Sequence, residues 1–161
     1  MDFTHRFAAN LPEPEKNLVP TRPRRVFVAE DDPEMRAFLS SVFARRGYEV
    51  TDARSGAHAL ELLGDVLLGL GSRRFAPDLV VTDQCMPGCD GLELIEALRE
   101  IGASMPIILI TAFGDDDLMR RAIAAGATAV LDKPFDASLL IAMARRLTTE
   151  VPAMKEERQR G

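Results

Sequence analysis

The chain has 161 residues, of which 47% are hydrophobic and 28% are charged, and its formal net charge is −5. This length and composition suit one globular domain with a single core. The acidic balance argues against direct nucleic-acid binding, which needs a basic surface. No apolar stretch is long enough to cross a membrane, and the first residues lack the apolar region of a secretory signal. Two cysteines close together argue against a disulfide framework and favour a reducing, cytoplasmic setting.

The two ends of the chain differ in composition from its middle. Residues 1–23 carry four prolines and few aliphatic side chains, which predicts a flexible N-terminal leader. Three apolar residues of this leader have helical spacing, namely Phe3, Phe7 and Leu11. The alternative to a disordered tail is therefore a short helical peptide that docks on another surface. The polar run within 149–161 predicts a solvated C-terminal tail. We therefore expect one folded domain at residues 24–148.

Short apolar runs alternate with amphipathic stretches throughout this expected domain. The apolar runs predict strands at 26–29, 48–50, 78–82, 106–111 and 129–131. The amphipathic stretches predict helices at 33–46, 55–68, 91–101, 115–125 and 136–148. Strict alternation predicts a parallel sheet with helices on both faces, joined by right-handed crossovers. The wholly apolar strands agree, because such a sheet is covered on both sides.

Helical spacing also predicts which side chains face the core. In the first helix these are Met35, Phe38, Leu39, Val42 and Phe43. In the third and fifth helices they are Leu94, Leu98, Ile101, Leu140, Met143, Ala144 and Leu147. The connection at 64–77 is long for this architecture, so either the second helix extends to about Leu70 or a small local excursion follows it.

Polar side chains follow the predicted strands at their carboxyl ends, where doubly wound sheets bind ligands. Glu30 and Asp31 follow the first strand and Asp83 the third. Thr111 ends the fourth strand, and Lys133 follows the fifth. Clustered carboxylates raise one another's pKa, which a hard cation such as Mg²⁺ relieves, while a lysine suits a phosphoryl group. The pattern predicts a site for Mg²⁺ and a phosphoryl group, in which a carboxylate can itself be the acceptor.

Several of these residues also have simpler interpretations. Glu30 and Asp31 have the alternative of a structural role beside the positive end of a helix dipole. Asp32 is predicted to be the N-cap of the first helix rather than a ligand. Cys85 and Cys89 lack the further cysteine or nearby histidine that a zinc site requires.

Four segments resemble the receiver domain of bacterial response regulators in two-component signalling: VFVAEDDPEMR, VVTDQCMPGCDG, ILITAFGD and AVLDKPF. They occur in the family's order across about residues 25–148, and they are most similar to receivers of the nitrogen-regulation type. The resemblance implies a CheY-like α/β fold. This is a flavodoxin-like (βα)5 doubly wound sandwich around a five-stranded parallel sheet in the order 2-1-3-4-5.

The resemblance also implies roles for the strand-end residues. Asp83 becomes the phosphoacceptor. Glu30 and Asp31 become the acidic pair for Mg²⁺, with Asp83 and the backbone carbonyl of Cys85 as further ligands. The phosphoryl group is expected to come from a sensor histidine kinase or a phosphotransfer protein. Such a domain is a signalling module, not an enzyme, and at most catalyses its own phosphorylation and dephosphorylation.

The switch elements match the family in part. The resemblance makes Thr111 the switch hydroxyl and Lys133 the phosphate-pairing lysine, followed by a cis peptide bond to Pro134. The family usually has tyrosine or phenylalanine at the position of Val130, and that ring swings inward when the threonine moves. We therefore expect the signal to travel instead by backbone shifts after Thr111. The expected output is the binding of a further, unidentified protein to the last strand and the last two helices. The sequence also leaves open whether the chain forms a homodimer.

Two positions flank the phosphate in the family, and here they are Cys85 and Phe113. Both side chains are poor at orienting an attacking water, which predicts slow self-dephosphorylation. Two other functions remain open. A phosphorylation-independent interaction module is favoured by Val130 and opposed by the intact site. A small phosphatase-type hydrolase would carry a second aspartate two residues after its nucleophile, where this chain has Cys85.

Overall fold

The computed structural model describes residues 22–70 and 76–149, so nearly all of the predicted leader and tail lies outside it. Its strands are β1 (Arg25–Ala29), β2 (Glu49–Ala53), β3 (Leu79–Asp83), β4 (Ile107–Thr111) and β5 (Ala129–Asp132). Its helices are α1 (Pro33–Ala44), α2 (Gly56–Leu67), α3 (Gly91–Glu100), α4 (Asp116–Ala125) and α5 (Ala137–Thr149). None of these helices is long and apolar enough to span a membrane.

All five strands are parallel and form one sheet in the order β2-β1-β3-β4-β5. This confirms the predicted flavodoxin-like architecture. β1 pairs with β2 on one side and with β3 on the other, so the strand order reverses between β1 and β3. Ala29 is the register partner of Thr82, which places the residues that follow both strands at one edge of the sheet. Ligands of doubly wound sheets bind at this reversal.

Successive strand residues contribute to two buried clusters, one on each face of the sheet. Val80 and Leu109 belong to the cluster that α2, α3 and α4 cover. Val81 and Ile110 belong to the cluster that α1 and α5 cover. Because both faces are covered, the central strands are wholly apolar up to the polar residues at their carboxyl ends.

Four helices begin with an N-cap whose side-chain oxygen accepts a hydrogen bond from a backbone N–H three residues later. These residues are Asp32, Ser55, Asp90 and Asp115. The N-cap role predicted for Asp32 is therefore confirmed, since its carboxylate accepts from the Met35 N–H at 3.2 Å.

Two side chains predicted to face the core are exposed. Phe38 is 45% exposed, because the apolar stripe that α1 buries is narrow and is filled by Leu39 and Phe43. Ile101 is 40% exposed, because α3 ends at Glu100 and Ile101 is its C-cap. The inward side chains predicted for α5 are all buried.

The second strand and the second helix differ from their predicted ranges. β2 begins after Tyr48 and extends to Ala53, past the end of the apolar run. The polar residues Thr51 and Asp52 made the second half of the strand unrecognisable in the sequence, because β2 is an edge strand defined by its pairing with β1. α2 ends at Leu67 and does not extend to Leu70, since Gly69 adopts a positive φ of 77° just after the cap. Residues 71–75 of the long connection lie outside the described residues.

Asp78 connects the beginnings of β1 and β3. Its carboxylate accepts two hydrogen bonds from the Arg22 guanidinium, both at 2.9 Å, and one from the Arg25 N–H at 2.8 Å. The Asp78 N–H in turn donates to the Arg25 carbonyl at 2.8 Å. The ion pair with Asp78 therefore holds the segment that precedes β1 at the edge of the sheet opposite the carboxyl ends of the strands.

Arg99 connects α3 to the segments around it by donating to main-chain carbonyls. Its guanidinium contacts the carbonyls of Ala103 at 2.9 Å, Met105 at 2.8 Å and Gly126 at 2.8 and 3.1 Å. Burial lowers the pKa of this guanidinium. Gly126 has a φ of 114°, and a Cβ at this position would contact the Arg99 side chain at 2.7 Å. One side chain thus joins the ends of α3 and α4 to the beginning of β4.

Replacing Arg99 with alanine removes these hydrogen bonds and leaves three partly buried carbonyls without their donor. We expect Arg99→Ala to lower the free energy of unfolding by about 2 kcal/mol, the usual contribution of bonds from a charged donor. Urea denaturation followed by circular dichroism measures the loss. Arg145→Ala removes an exposed arginine of α5 and should change the same quantity by less than about 0.5 kcal/mol. Equal denaturation midpoints for the two variants would contradict this role.

Candidate functional site

Three carboxylates meet at the sheet edge where the strand order reverses. They belong to Glu30, Asp31 and Asp83, and one oxygen of each lies within 4.8 Å of the others. Glu30 is only 1% exposed and Asp83 6% exposed, while Asp31 is half-buried. Such burial of like charges is costly unless cations compensate for it. The structure thus brings together the three carboxylates that the sequence pattern predicted.

Lys133 supplies a cation to this cluster. Its Nζ lies 3.0 Å from Asp83 Oδ1 and 3.9 Å from Glu30 Oε2. Burial lowers the pKa of the Lys133 ammonium, but the hydrogen bond and the charge of Asp83 outweigh burial and raise it. The peptide bond from Lys133 to Pro134 is cis. Lys133 is therefore charged at neutral pH and paired directly with the carboxylate at the end of β3.

Hydrogen bonds satisfy only one of the two carboxylate oxygens of Glu30 within the described residues. Its Oε1 accepts a hydrogen bond from the Asp32 N–H at 3.1 Å, whereas its Oε2 accepts none from the residues the structure describes. Burial, followed by the charge of Asp83, raises the pKa of Glu30 to about 7. A buried carboxylate oxygen without a donor, in a set of oxygen-only ligands, fits a hard divalent cation such as Mg²⁺.

Thr111 ends β4 and is 1% exposed. It follows Ile110, the register partner of Asp83, so it lies on the strand next to the acidic cluster. Its Oγ1 accepts a hydrogen bond from the Phe113 N–H at 3.2 Å, and the Phe113 ring is 80% exposed. The Thr111 carbonyl accepts from the Lys133 N–H at 2.8 Å. Thr111 therefore connects the lysine to the loop that precedes α4.

Gln84 orders the loop that follows β3. Its N–H donates to the Ile110 carbonyl at 2.8 Å, and its Oε1 accepts from the Leu92 N–H at 3.0 Å. Gly91 packs so closely that a Cβ there would lie 2.6 Å from the Asp83 carbonyl. Cys85 lies on this loop with an exposed side chain, and the use of its carbonyl as a metal ligand stays a prediction.

Two residues beside the cluster were not apparent from the sequence pattern, namely Gln84 and Arg36, whose guanidinium donates to the Glu30 carbonyl at 2.9 Å. Both act through hydrogen bonds to main-chain groups, which leave no periodic pattern in a sequence. The only available signal for Gln84 was an amide placed directly after a strand-end acid. Val130, the departure from the family pattern, is fully buried within the cluster that includes Leu109.

Known proteins share both the sequence pattern and the fold. The family model "response regulator receiver domain" matches residues 26–145. The transcriptional regulatory protein PdtaR of Mycobacterium tuberculosis is 41% identical over 122 residues, which cover 74% of this chain and 54% of that protein. Sporulation initiation phosphotransferase F of Bacillus subtilis is 30% identical over 112 residues, which cover 70% of this chain and 83% of that protein. The chain spans about half the length of the transcriptional regulators PfeR and PdtaR.

A solved receiver-domain structure also resembles this chain in fold. The receiver domain of the Francisella response regulator 1452 superposes with a TM-score of 0.69 at 28% identity. That match covers 79% of this chain and 98% of the Francisella chain. The sheet order, the position of the acidic cluster and these matches agree. The chain belongs to the family of response-regulator receiver domains.

Proposed function

We propose that Asp83 accepts a phosphoryl group from a sensor histidine kinase or a phosphotransfer protein. The observation that carries this proposal is the ion pair of 3.0 Å between Lys133 Nζ and Asp83 Oδ1, set among buried acids at the sheet edge. In the transfer, the bond from phosphorus to the donor's histidine nitrogen breaks, and a bond to an Asp83 carboxylate oxygen forms. Lys133 is placed to pair with the added negative charge.

The proposed Mg²⁺ ligands are the side chains of Glu30, Asp31 and Asp83 and the backbone carbonyl of Cys85. The unpartnered Oε2 of Glu30 and the oxygen-only character of the cluster support this assignment. When bound there, Mg²⁺ would neutralise charge that develops on the phosphoryl oxygens during transfer. Glu30 contributes to this site only in its ionised form, because a protonated carboxyl group is a poor metal ligand.

Thr111 is the proposed sensor of phosphorylation. A movement of its hydroxyl toward the phosphoryl group would pull on the Phe113 N–H, which donates to it at 3.2 Å. With Val130 in place of an aromatic ring, this backbone link is the proposed route to α4. α4 buries only Ala122 fully, whereas α5 buries several side chains, so α4 is the more easily displaced helix. The proposed output surface comprises α4, β5 and α5.

Phosphorylation is expected at Asp83 alone. Incubation with acetyl phosphate and Mg²⁺ should add one phosphoryl group to the wild type, because the Lys133 cation stabilises the added charge. Intact mass spectrometry detects the added mass. Asp83→Asn should abolish the gain, and chelation of Mg²⁺ should prevent it.

Asp65→Asn serves as the matched control, since it makes the same change at an exposed residue of α2 and should label like the wild type. A wild type that gains no mass while remaining folded would overturn the proposal. It would favour the phosphorylation-independent module, and Val130 would then be the first residue to replace with an aromatic.

Magnesium affinity is expected to depend on the protonation of Glu30. The pKa of Glu30 is raised to about 7, so lowering the pH protonates the carboxylate and competes with the metal. Affinity should fall about tenfold from about pH 8 to about pH 6, as one carboxylate with this pKa titrates. Calorimetric titration with MgCl₂ at several pH values measures this. Glu30→Gln should bind Mg²⁺ more weakly than the wild type, and its affinity should no longer depend on pH in this range. If the affinity of Glu30→Gln varies with pH as that of the wild type does, another group is responsible for the pH dependence.

The phosphorylated form is expected to be long-lived, because neither Phe113 nor Cys85 can orient an attacking water well. Phe113→Gln introduces an amide that hydrogen-bonds water beside Thr111 and should shorten the lifetime severalfold. The decay of the phosphorylated mass after removal of acetyl phosphate gives the rate. Leu70→Gln makes a comparable change at an exposed residue beyond α2 and should leave the rate unchanged. Equal lifetimes for all three proteins would refute the role of Phe113.

A further inference from the structure

The loop between β1 and α1 carries two of the three clustered carboxylates, and hydrogen bonds fix its main chain. The Glu30 N–H donates to the Ala53 carbonyl at 3.1 Å, which extends the pairing of β1 with β2 by one residue. The Asp32 N–H donates to Glu30 Oε1 at 3.1 Å, and the Asp32 carbonyl accepts from the Arg36 N–H at 2.9 Å. The Glu30 carbonyl, between these points, is oriented by a side chain.

That side chain is the guanidinium of Arg36, in the first turns of α1. Its Nη1 donates to the Glu30 carbonyl at 2.9 Å and makes a longer contact of 3.5 Å with the Asp31 carbonyl. The ion pairs among the described ranges do not include Arg36. The guanidinium therefore acts on the main chain of the loop rather than on the carboxylates.

We propose that Arg36 is a positioning residue for the metal site, an inference that rests on the proposed Mg²⁺ binding by Glu30 and Asp31. The peptide unit from Glu30 to Asp31 is planar, so holding its oxygen fixes its orientation and constrains the backbone of both residues. Two carboxylates must converge on one small cation, and Mg²⁺ tolerates little deviation from its preferred geometry. Arg36 stabilises the loop conformation from which both side chains point into the cluster.

Whether replacing Arg36 weakens or strengthens Mg²⁺ binding distinguishes a positioning role of this residue from an effect of its charge alone. A positive charge near a cation site repels the cation, so removal of the Arg36 charge alone would strengthen Mg²⁺ binding. Loss of positioning weakens binding, because the loop must then be ordered when the metal binds. Arg36→Ala removes both the charge and the hydrogen bond. Arg36→Gln removes the charge but keeps an N–H donor of shorter reach.

Calorimetric titration with MgCl₂ is the decisive experiment. Arg36→Ala should weaken binding about tenfold, the lower end of the usual effect of losing a residue that orients metal ligands. Arg36→Gln should recover part of this loss. Arg45→Ala removes the same charge from an exposed position just after α1, and it should bind Mg²⁺ as the wild type does.

A kinetic measurement adds a second readout. For Arg36→Ala, the Mg²⁺ concentration that gives half the maximal rate of labelling by acetyl phosphate should rise about tenfold, in step with the affinity. The rate at saturating Mg²⁺ should stay close to that of the wild type, because the Arg36 guanidinium donates to the carbonyls of Glu30 and Asp31 and not to the Asp83 carboxylate. Thermal unfolding without Mg²⁺ establishes that each variant is folded, and if Arg36→Ala is not, Arg36→Gln and Arg36→Lys decide the question.

The outcomes distinguish this proposal from the proposed function. If the wild type binds Mg²⁺ and folded Arg36→Ala binds it equally well or more tightly, the role of Arg36 is overturned and the metal site stands. If the wild type binds no Mg²⁺, the role of Arg36 and the proposed metal site are both overturned. If Mg²⁺ binds and Arg36→Ala weakens it while no phosphoryl group is transferred, the role of Arg36 stands and the phosphoacceptor role fails.

Discussion

The site depends on the pairing of one ammonium group with carboxylates that repel one another. Lys133 lies 3.0 Å from Asp83, while Glu30, almost fully buried, keeps a carboxylate oxygen without a hydrogen-bond donor among the described residues. Breaking a buried pair costs more than forming it contributes, since the remaining charge stays desolvated. Burial, followed by the charge of Asp83, raises the pKa of Glu30 to about 7, and the excess negative charge of the cluster fits a cation. The fold must keep these groups together against their repulsion.

The sheet achieves this by extending its hydrogen bonding one residue beyond three strands. The N–H groups of Glu30, Gln84 and Lys133 donate to carbonyls of the neighbouring strands at 3.1, 2.8 and 2.8 Å. Two of these residues belong to the site, and Gln84 directly follows Asp83. The side chains of Glu30 and Lys133 therefore begin on backbone that is still part of the sheet. Residues on such a rigid frame need little reordering when a ligand binds.

The sequence was sufficient for the fold and for the grouping of carboxylates and a lysine at one edge of the sheet, because both leave strong patterns. Buried strands are apolar, and a carboxylate or lysine directly after one is conspicuous. β2 was predicted too short because an edge strand is defined by its partner and not by its own apolarity. Phe38 and Ile101 were placed inward because helical spacing does not show how wide a stripe is buried or where a helix ends. Arg36 and Gln84 were missed because their partners are carbonyl and N–H groups, which every residue has.

The salt bridge between Arg22 and Asp78 has a practical consequence for experiments on this chain. It lies at the amino ends of β1 and β3, so the length of the strands, about 16 Å for five residues, separates it from the acidic cluster. An affinity tag or a fluorescent label joined directly to Arg22, in place of residues 1–21, would attach at the end of the domain remote from Asp83. Immobilisation through that end would leave the carboxyl edge of the sheet accessible to a phosphoryl donor.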